Sequence, residues 1–568
     1  MPNIKYAYFL VSFIFLIFIS GTQLCAQNMN QVGYLPGSEK RVFLDKEYQA
    51  KDFSITNAKG KQVLFGNVTV AKYWDNSGEE VCYADFSSLS KQGYYSLKVD
   101  GLPESVQFEI DADIYNNIGK DVVRMFYHAR ASMPIEKQYA GMYARPAGHL
   151  DNRVKVHASA ATKQRPEGTM ISSPGGWYDA GDYNKYIVNS SISVYTLLQA
   201  EHLYGKHLQS LDLNIPETGN GLSDVLNETL YNLRWMLTMQ DPNDGGVYHK
   251  LTSKKFCGMI MPHKDKLDRY VVMKSTAATL DFAATMSKAY RVLKPYSKVL
   301  PGIADSCLQA AKLAWKWSIK NPEVLYVQPA DIKTGEYKDK NISDEWIWAA
   351  SELYLSTNES KYFNKIDLDY KRFHIPQWGN VATLSLYSIA TSKTNNEKLK
   401  ERATSKLINL ANNYYKKYEK SPYKVSIDRF PWGSNGEVSN HGMLFLQAYQ
   451  VSKDDKYKKA ADACLGYILG ANPTGYCFVT GYGAKSPKHI HERITESNGI
   501  ENPLPGFVVG GPTKQAQKDC GAENYPSEFP AKSYLDKECS YSTNEIAINW
   551  NSPLAFLSLG LDAVVSKK

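Results

Sequence analysis

The sequence predicts a mainly α protein, a closed barrel of helical hairpins preceded by a small β-sandwich. Three observations carry that expectation: strand-like alternation confined to residues before about 110, an abrupt change to helical periodicity near Ile114, and the return of that periodicity through the rest of the chain between long Gly- and Pro-rich loops.

The sandwich is read from "YYSLKV" at 94–99 and "VQFEI" at 106–110. Tyr95, Leu97 and Val99, then Val106, Phe108 and Ile110, fall on one face of their strands, with Gly93, Gly101 and Pro103 as punctuation. The first helix is read from Ile118, Val122 and Phe126 at four-residue steps. A second follows Ser223, placed as its N-cap, with Leu226, Leu230, Leu233 and Leu237 as its apolar stripe. Similar patterns predict helices near 189–204, 273–292, 302–319, 343–356, 377–391, 396–418, 438–451, 455–469 and 551–564. About a dozen helices with no short repeat of the solenoid kind fit hairpins closed into a barrel, with function carried by the connecting loops.

The N-terminus, with Lys5 ahead of an apolar run from about Ala7 to Ile19 and Ala26 at a cleavage position, reads as a signal peptide over 1–26. Leu24 stands where a lipid-anchored Cys25 would want a small residue, so export without an anchor is expected. The division is then 27–110 for the sandwich and 113–568 for the barrel. No later segment reaches the roughly 18 apolar residues of a membrane span. The net charge of +8 comes from scattered lysines rather than a basic block, which argues against a nucleic-acid partner. Beyond Cys25 seven cysteines remain, an odd number; Cys520 and Cys539 flank one loop and could pair, and no CxxC zinc signature occurs. Tyrosine stands out at 40 residues against 20 Phe and 10 Trp, and a ring with an apolar face and a hydroxyl suits a sugar.

Candidate chemistry lies in three loops. "GGWYDAGDYNKY" at 175–186 sets Asp179 and Asp182 three residues apart. Alone they could be an N-cap and a first-turn acid of the helix that follows, but a plain cap needs neither the two glycines nor the aromatic residues around them. "SYSTNEIAINWNSP" at 540–553 buries one acid, Glu545, in apolar company. It could be a hydrogen-bonded structural acid, yet poor solvation also raises a carboxyl pKa and lets it hold a proton near neutrality. One carboxylic acid kept protonated and one carboxylate kept ionised are what glycoside hydrolysis requires, and single displacement sets them about 6.5–9.5 Å apart to admit a water. "GYGAKSPKHIHER" at 481–493 crowds His489, His491 and Arg493 together; with no third metal ligand nearby, they read as donors to sugar hydroxyls.

With these stretches in order, nearly the whole chain resembles the family 9 glycoside hydrolases in the form with an N-terminal immunoglobulin-like domain. "NQVGYLP" at 30–36 looks like the opening of that domain, "GGWYDAGDYNKYIVNSSIS" like the base loop, "FVTGYGAKSPKHIHER" like the histidine signature, and "YLDKECSYSTNEIAINWNS" at 534–552 like the acid signature. The resemblance implies a six-hairpin (α/α) barrel and endo-acting, inverting hydrolysis of β-1,4-glucans such as cellulose, mixed-linkage glucan or xyloglucan. It implies Asp182 as general base, Asp179 as the acid that helps hold the water, and Glu545 as general acid. His491, Arg493, Trp432 of "FPWGSN" and Tyr541 would bind sugar, and Asp536 would support the site. A monomer needing no catalytic cofactor is implied, with structural calcium common among relatives. Zinc is not expected: Ala131 and Gly148 stand where many relatives carry cysteines, leaving His149 and His157 without thiolate partners. The alternatives are an exo-acting β-glucosidase or glucosaminidase on the same fold, or a catalytically inactive carbohydrate-binding protein. The sandwich, with Trp74 as its lone tryptophan and no row of exposed Trp, is expected to brace the barrel rather than bind cellulose.

Overall fold

The computed structural model describes residues 28–515 and 517–565; the signal peptide assigned to 1–26 lies outside the described residues. The first 83 of them form two four-stranded sheets. One has the order β1 (Asn28–Met29), β2 (Arg41–Asp45), β6 (Glu79–Asp85), β5 (Lys72–Trp74); the other runs β4 (Gln62–Asn67), β3 (Asp52–Asn57), β7 (Gly93–Val99), β8 (Val106–Ile110). The alternation seen in sequence is what fills the space between them. Tyr95, Leu97, Val99, Val106, Phe108 and Ile110 are all buried, packed on Val42, Leu44, Phe53 and Ile55 of the neighbouring strands.

The rest of the chain is helical and closes on itself. Six inner helices, Ile187–Leu208, Thr276–Leu293, Ser343–Thr357, Ala382–Thr391, Ser434–Ser452 and Ile548–Val565, each pack on the next, and the last packs back on the first. Six outer helices lie against them in turn: Asp224–Thr238, Ile303–Lys320, Ser360–Phe363, Glu397–Lys420 and Asp455–Ile468 on the first five, and Asn116–His128 on the last. Composition separates the two rings. The inner helices are buried almost all round and are rich in Ala, Ser, Thr and Gly, which lets six helices crowd one axis; outer helices such as Glu397–Lys420 bury only a stripe, Leu399, Ala403, Leu407, Ala411 and Tyr418. Helix ends follow local chemistry, with Ser223 Oγ accepting from Leu226 N–H at 3.1 Å as the expected cap. The segment expected to be helical from 377 begins only at Ala382, because Gln377 and Asn380 pair in a tight turn and Val381 N–H is taken by Asp344.

Sandwich and barrel share a core. Leu35, Phe43, Trp74 and Val81 belong to the same hydrophobic cluster as the barrel helices, and Trp74 packs on Tyr423 and Phe430 with ring centroids 5.2 and 6.0 Å apart. Polar ties surround this contact: Tyr423 Oη donates to Glu79 at 2.8 Å, Asn30 Nδ2 to Tyr115 Oη at 2.9 Å, and Tyr115 Oη to Asp462 at 3.1 Å.

At one mouth of the barrel the loops build a five-stranded sheet in the order β10 (Met170–Ile171), β9 (Val154–Val156), β13 (Tyr270–Val271), β12 (Lys250–Thr252), β11 (Lys185–Tyr186). A disulfide joins Cys520 to Cys539 across a separation of 19 residues. Asp519, just ahead of the loop it closes, accepts from Tyr525 Oη within that loop at 2.6 Å and from Ser542 N–H, next to Tyr541, at 2.8 Å. Reduction, or Cys539→Ser, is expected to lower the melting temperature by the equivalent of about 3 kcal/mol on the chain-entropy account of a loop this long. An unchanged melting curve in reductant would mean that the closed loop contributes nothing to folding.

Candidate active site

Three loops meet at Gly181. A Cβ there would lie 2.2 Å from the His491 carbonyl oxygen and 3.2 Å from Glu545 Oε1, so only glycine admits the crossing. Gly181 N–H donates to Glu545 Oε1 at 3.3 Å, and Arg493 Nη1 donates to Gly181 O at 2.5 Å. Backbone pairing extends the junction: Ala180 bridges Ala547, His491 bridges Glu545, and Ile548 N–H donates to Asp179 O at 2.9 Å. The two acidic stretches, more than 350 residues apart in the chain, are thus stitched edge to edge at the floor of one cleft.

That cleft encloses about 780 Å3 and is lined by Asp179, Asp182, Glu545, His491, Arg493, Trp432 and Tyr541, all singled out from the sequence. Each carboxyl group is held differently. Asp179 uses both oxygens, accepting from Asn189 Nδ2 at 2.6 Å and from Tyr337 Oη at 2.6 Å. Asp182 uses only Oδ2, which accepts from Asn184 N–H at 3.3 Å, Tyr186 Oη at 3.2 Å and the Asn184 side-chain amide; no hydrogen bond reaches Oδ1 from any described residue. Glu545 accepts through Oε1 alone, leaving Oε2 free. Burial, then the charges of Asp182 and Asp179, push the Glu545 carboxyl up to about 8, and burial followed by Asp182 does the same for Asp179. Near neutrality this supplies a proton on Glu545, while Asp182 presents an oxygen without a hydrogen bond, the two halves of general acid–base chemistry.

The raised value has a direct consequence. Activity that needs a proton on Glu545 is expected to fall as pH rises through about 8. Stability contributed by the neutral buried acid is complete below the ordinary carboxylate range and is lost over the same rise. A kcat profile still rising at pH 9 would exclude Glu545 as the proton donor.

The remaining expected residues take distinct places. His491 Nδ1 lies 2.7 Å from Glu538 O and so carries the proton; burial lowers its pKa, which leaves a neutral ring with Nε2 as an acceptor. Arg493 spends Nη1 on Gly181 O and Nε on Cys257 O at 3.2 Å, and its guanidinium lies over the Phe256 ring at 5.3 Å, so it clamps the loops as well as lining the cleft. Trp432 is 41% exposed and Tyr541 37%, with their rings 5.6 Å apart, an open aromatic shelf. Asp536 does not line the cleft; it accepts from the backbone of Lys488 and His489 and from Asn544 Nδ2 at 3.0 Å, tying the histidine loop to the acid stretch. His489 likewise lies outside the cleft lining.

The sequence reading missed Tyr337, Asn189, Gln377, Trp378, Glu437 and Trp550, which line the cleft or hold its acids. Only Trp550, five residues beyond Glu545, carried a local signal. The reading also grouped His149 with His157, and the structure parts them. His149 bonds Tyr178 Oη at 2.8 Å and Asp265 at 3.1 Å, whereas His157 bonds Ser159 Oγ at 2.9 Å and Asp331 at 3.1 Å. Beside His149, Ala131, Tyr178 and Tyr183 form an apolar cluster, and the adjacent Cys257 thiol is pushed up to about 11 by burial, a poor donor set for zinc. Among the described residues no group of three His, Cys, Asp or Glu side chains is arranged to hold a metal ion. The nearest to hard-cation chemistry is the buried group of Asp281, Asp344 and Glu345, in which five carboxylate oxygens lack partners and burial raises every pKa.

Comparison with known proteins agrees with this geometry. The glycosyl hydrolase family 9 profile matches residues 115–558 and the cellulase N-terminal ig-like domain matches 28–104. A xyloglucan-specific endo-beta-1,4-glucanase of Bacteroides ovatus is 42% identical over 95% of this chain and 94% of its own. Endoglucanase D of Acetivibrio thermocellus is 30% identical over 94% of this chain and 82% of its own. The solved structure of a Bacteroides ovatus family 9 protein superposes with a TM-score of 0.88 at 40% identity, covering 95% of this chain and 99% of that one. The chain therefore belongs to glycosyl hydrolase family 9, as an endo-β-1,4-glucanase with an immunoglobulin-like domain ahead of its helical barrel.

Proposed function

We propose that this endoglucanase hydrolyses xyloglucan in preference to unbranched glucans and does so with inversion. The observation that carries the mechanism is the unequal use of the three acids. Asp182 keeps one oxygen unbonded toward the cleft, Asp179 has both committed, and Glu545 is held protonated. Asp182 Oδ1 takes a proton from water as that water attacks the anomeric carbon, Asp179 helps hold the water, and Glu545 Oε2 gives its proton to the departing glycosidic oxygen. His491 Nε2 and Arg493 hold the sugar beside the cut bond, Trp432 and Tyr541 stack on a sugar face, and Asp536 keeps the histidine loop in register.

Support for xyloglucan is the likeness over nearly the full chain to the xyloglucan-specific enzyme, joined to a cleft with Phe256, Trp378 and Trp550 as further aromatic walls. The chemistry uses no cofactor. Zinc is not proposed near His149. The protein acts as an exported monomer, export being in line with its N-terminal apolar run and with a disulfide that needs an oxidising compartment.

One experiment tests both parts. NMR of fresh product from tamarind-type xyloglucan oligomers should show the α anomer first, and kcat/KM should exceed that on mixed-linkage glucan and on cellulose. A β anomer first would mean double displacement and a different role for Asp182; higher kcat/KM on cellulose would overturn the substrate.

A further inference from the structure

Behind Asp182 the protein buries a lysine that the reaction scheme does not use. Lys250 and Tyr186 are direct cross-strand partners in the β11–β12 pair, so their side chains lie on one face of the sheet. Lys250 is fully buried. Its ammonium donates to Gln328 Oε1 at 3.0 Å, Thr334 Oγ1 at 3.1 Å and Gly335 O at 2.5 Å, all neutral acceptors, and no carboxylate of the described residues lies within ion-pair distance. A buried cation without a paired anion is costly unless its charge acts on something.

The hydrogen bonds leading away from it allow one continuous direction toward Asp182. An ammonium cannot accept, so Thr334 Oγ1 accepts from Lys250 and is free to donate onward to Thr252 Oγ1 at 2.7 Å. The Thr252 hydroxyl proton lies between two acceptors, Asn184 Oδ1 at 2.9 Å and Ser253 O at 2.8 Å, and donation to the first continues the chain. The Asn184 amide cannot be reversed, since Ser253 N–H also donates to Oδ1 at 3.0 Å; Nδ2 must therefore face Asp182, where it donates to Oδ2. The chain starts on a group that only donates and ends on one that, ionised, only accepts. Such a chain polarises along its length.

Resting on the reading of Asp182 as the base, we propose that Lys250 is a positioning residue for that carboxylate: through Thr334, Thr252 and Asn184 it fixes Oδ2 as the bonded oxygen, holds a positive charge behind the group, and leaves Oδ1 for the water. The groups facing Asp182 are Asp179 and Glu545 across the cleft and Tyr186 beside it; those facing Lys250 are Glu336 and the rings of Tyr186 and Tyr326, at 5.5 and 5.6 Å. Burial lowers the ammonium to about 7, and Asp182, then Glu336, act to restore it.

The test compares the acid limb of the kcat/KM–pH profile in the wild type, Lys250→Met and Thr252→Val, with Asp182→Asn as the reference. Losing the ammonium makes the base harder to ionise, so in Lys250→Met the limb should move up by about one pH unit, and kcat should fall about tenfold with KM little changed. Thr252→Val keeps the shape and the charge but cuts the chain, and should move the limb the same way by less. It carries the test if Lys250→Met fails to fold. A folded Lys250→Met with the wild-type limb would overturn the proposal, as would a wild-type profile in Thr252→Val. Wild-type activity in Asp182→Asn would instead overturn the assignment of the base, whatever Lys250 does.

Discussion

Glu545→Gln is expected to cut turnover of natural glucans by about 10²–10⁴-fold, the range removed with a positioned acid, while sparing much of the activity on aryl glycosides with good leaving groups. The amide keeps the size of the acid and can still accept from Gly181 N–H, so the junction of the three loops stays intact. What it lacks is the proton that burial and the two neighbouring carboxyl groups hold on Glu545 near neutrality. A phenolate of low basicity leaves without that proton, whereas a sugar alkoxide does not. Kinetics on xyloglucan and on a dinitrophenyl cellobioside would separate the cases, and equal losses on both substrates would remove Glu545 from the acid role. The alkaline limb near pH 8 should also vanish in this variant on the activated substrate.

Removal of the N-terminal domain should have the largest effect on stability. A chain that starts near Asp113 strips Trp74, Phe43, Leu35 and Val81 from the cluster they share with Tyr423, Phe430 and the barrel helices. At about 25 cal/mol per Å2 of apolar surface, re-exposing even a few such side chains costs several kcal/mol, a large share of ordinary net stability. The same cut leaves Tyr115 without Asn30, and Asp462, which burial pushes up to about 7, with one donor fewer in its surroundings. The truncated protein should aggregate or melt far below the full chain, and Trp74→Ala alone should lower the melting temperature measurably. The isolated 28–110 segment should not sediment with cellulose. A stable, fully active truncation would recast the domain as a separate module.

Much of this was determined by sequence alone. Helix positions were legible to within a few residues because a helix that buries a stripe must repeat its apolar residues at a fixed step, as Ile118, Val122 and Phe126 do, and all three are buried. The sandwich was legible for the same reason at a period of two. Asp179, Asp182 and Glu545 stood out because an acid in apolar or aromatic company is chemically anomalous wherever the chain goes next, and each reaches the cleft. The disulfide was legible only as one pairing among open ones, since proximity in a loop does not set the geometry of two sulfurs.

Only the tertiary structure decided how those acids differ. Local partners bond one oxygen of each, Asn189 for Asp179 and Asn184 with Tyr186 for Asp182; what closes off the other Asp179 oxygen is Tyr337, more than 150 residues away, while Asp182 Oδ1 is left open. Gln377, Trp378 and Glu437 look like ordinary helix-flanking residues until the inner helices close into a ring and turn their ends toward one mouth. His157 was grouped with His149 through the resemblance to relatives that hold zinc there, and folding sent it to Asp331 on another loop. The physical reason is common to these cases. Periodicity and composition record what each segment must bury, which is a local property, whereas hydrogen-bond partners and charge neighbours are set by which loops the closed barrel brings together, and that is fixed only when the last helix packs on the first.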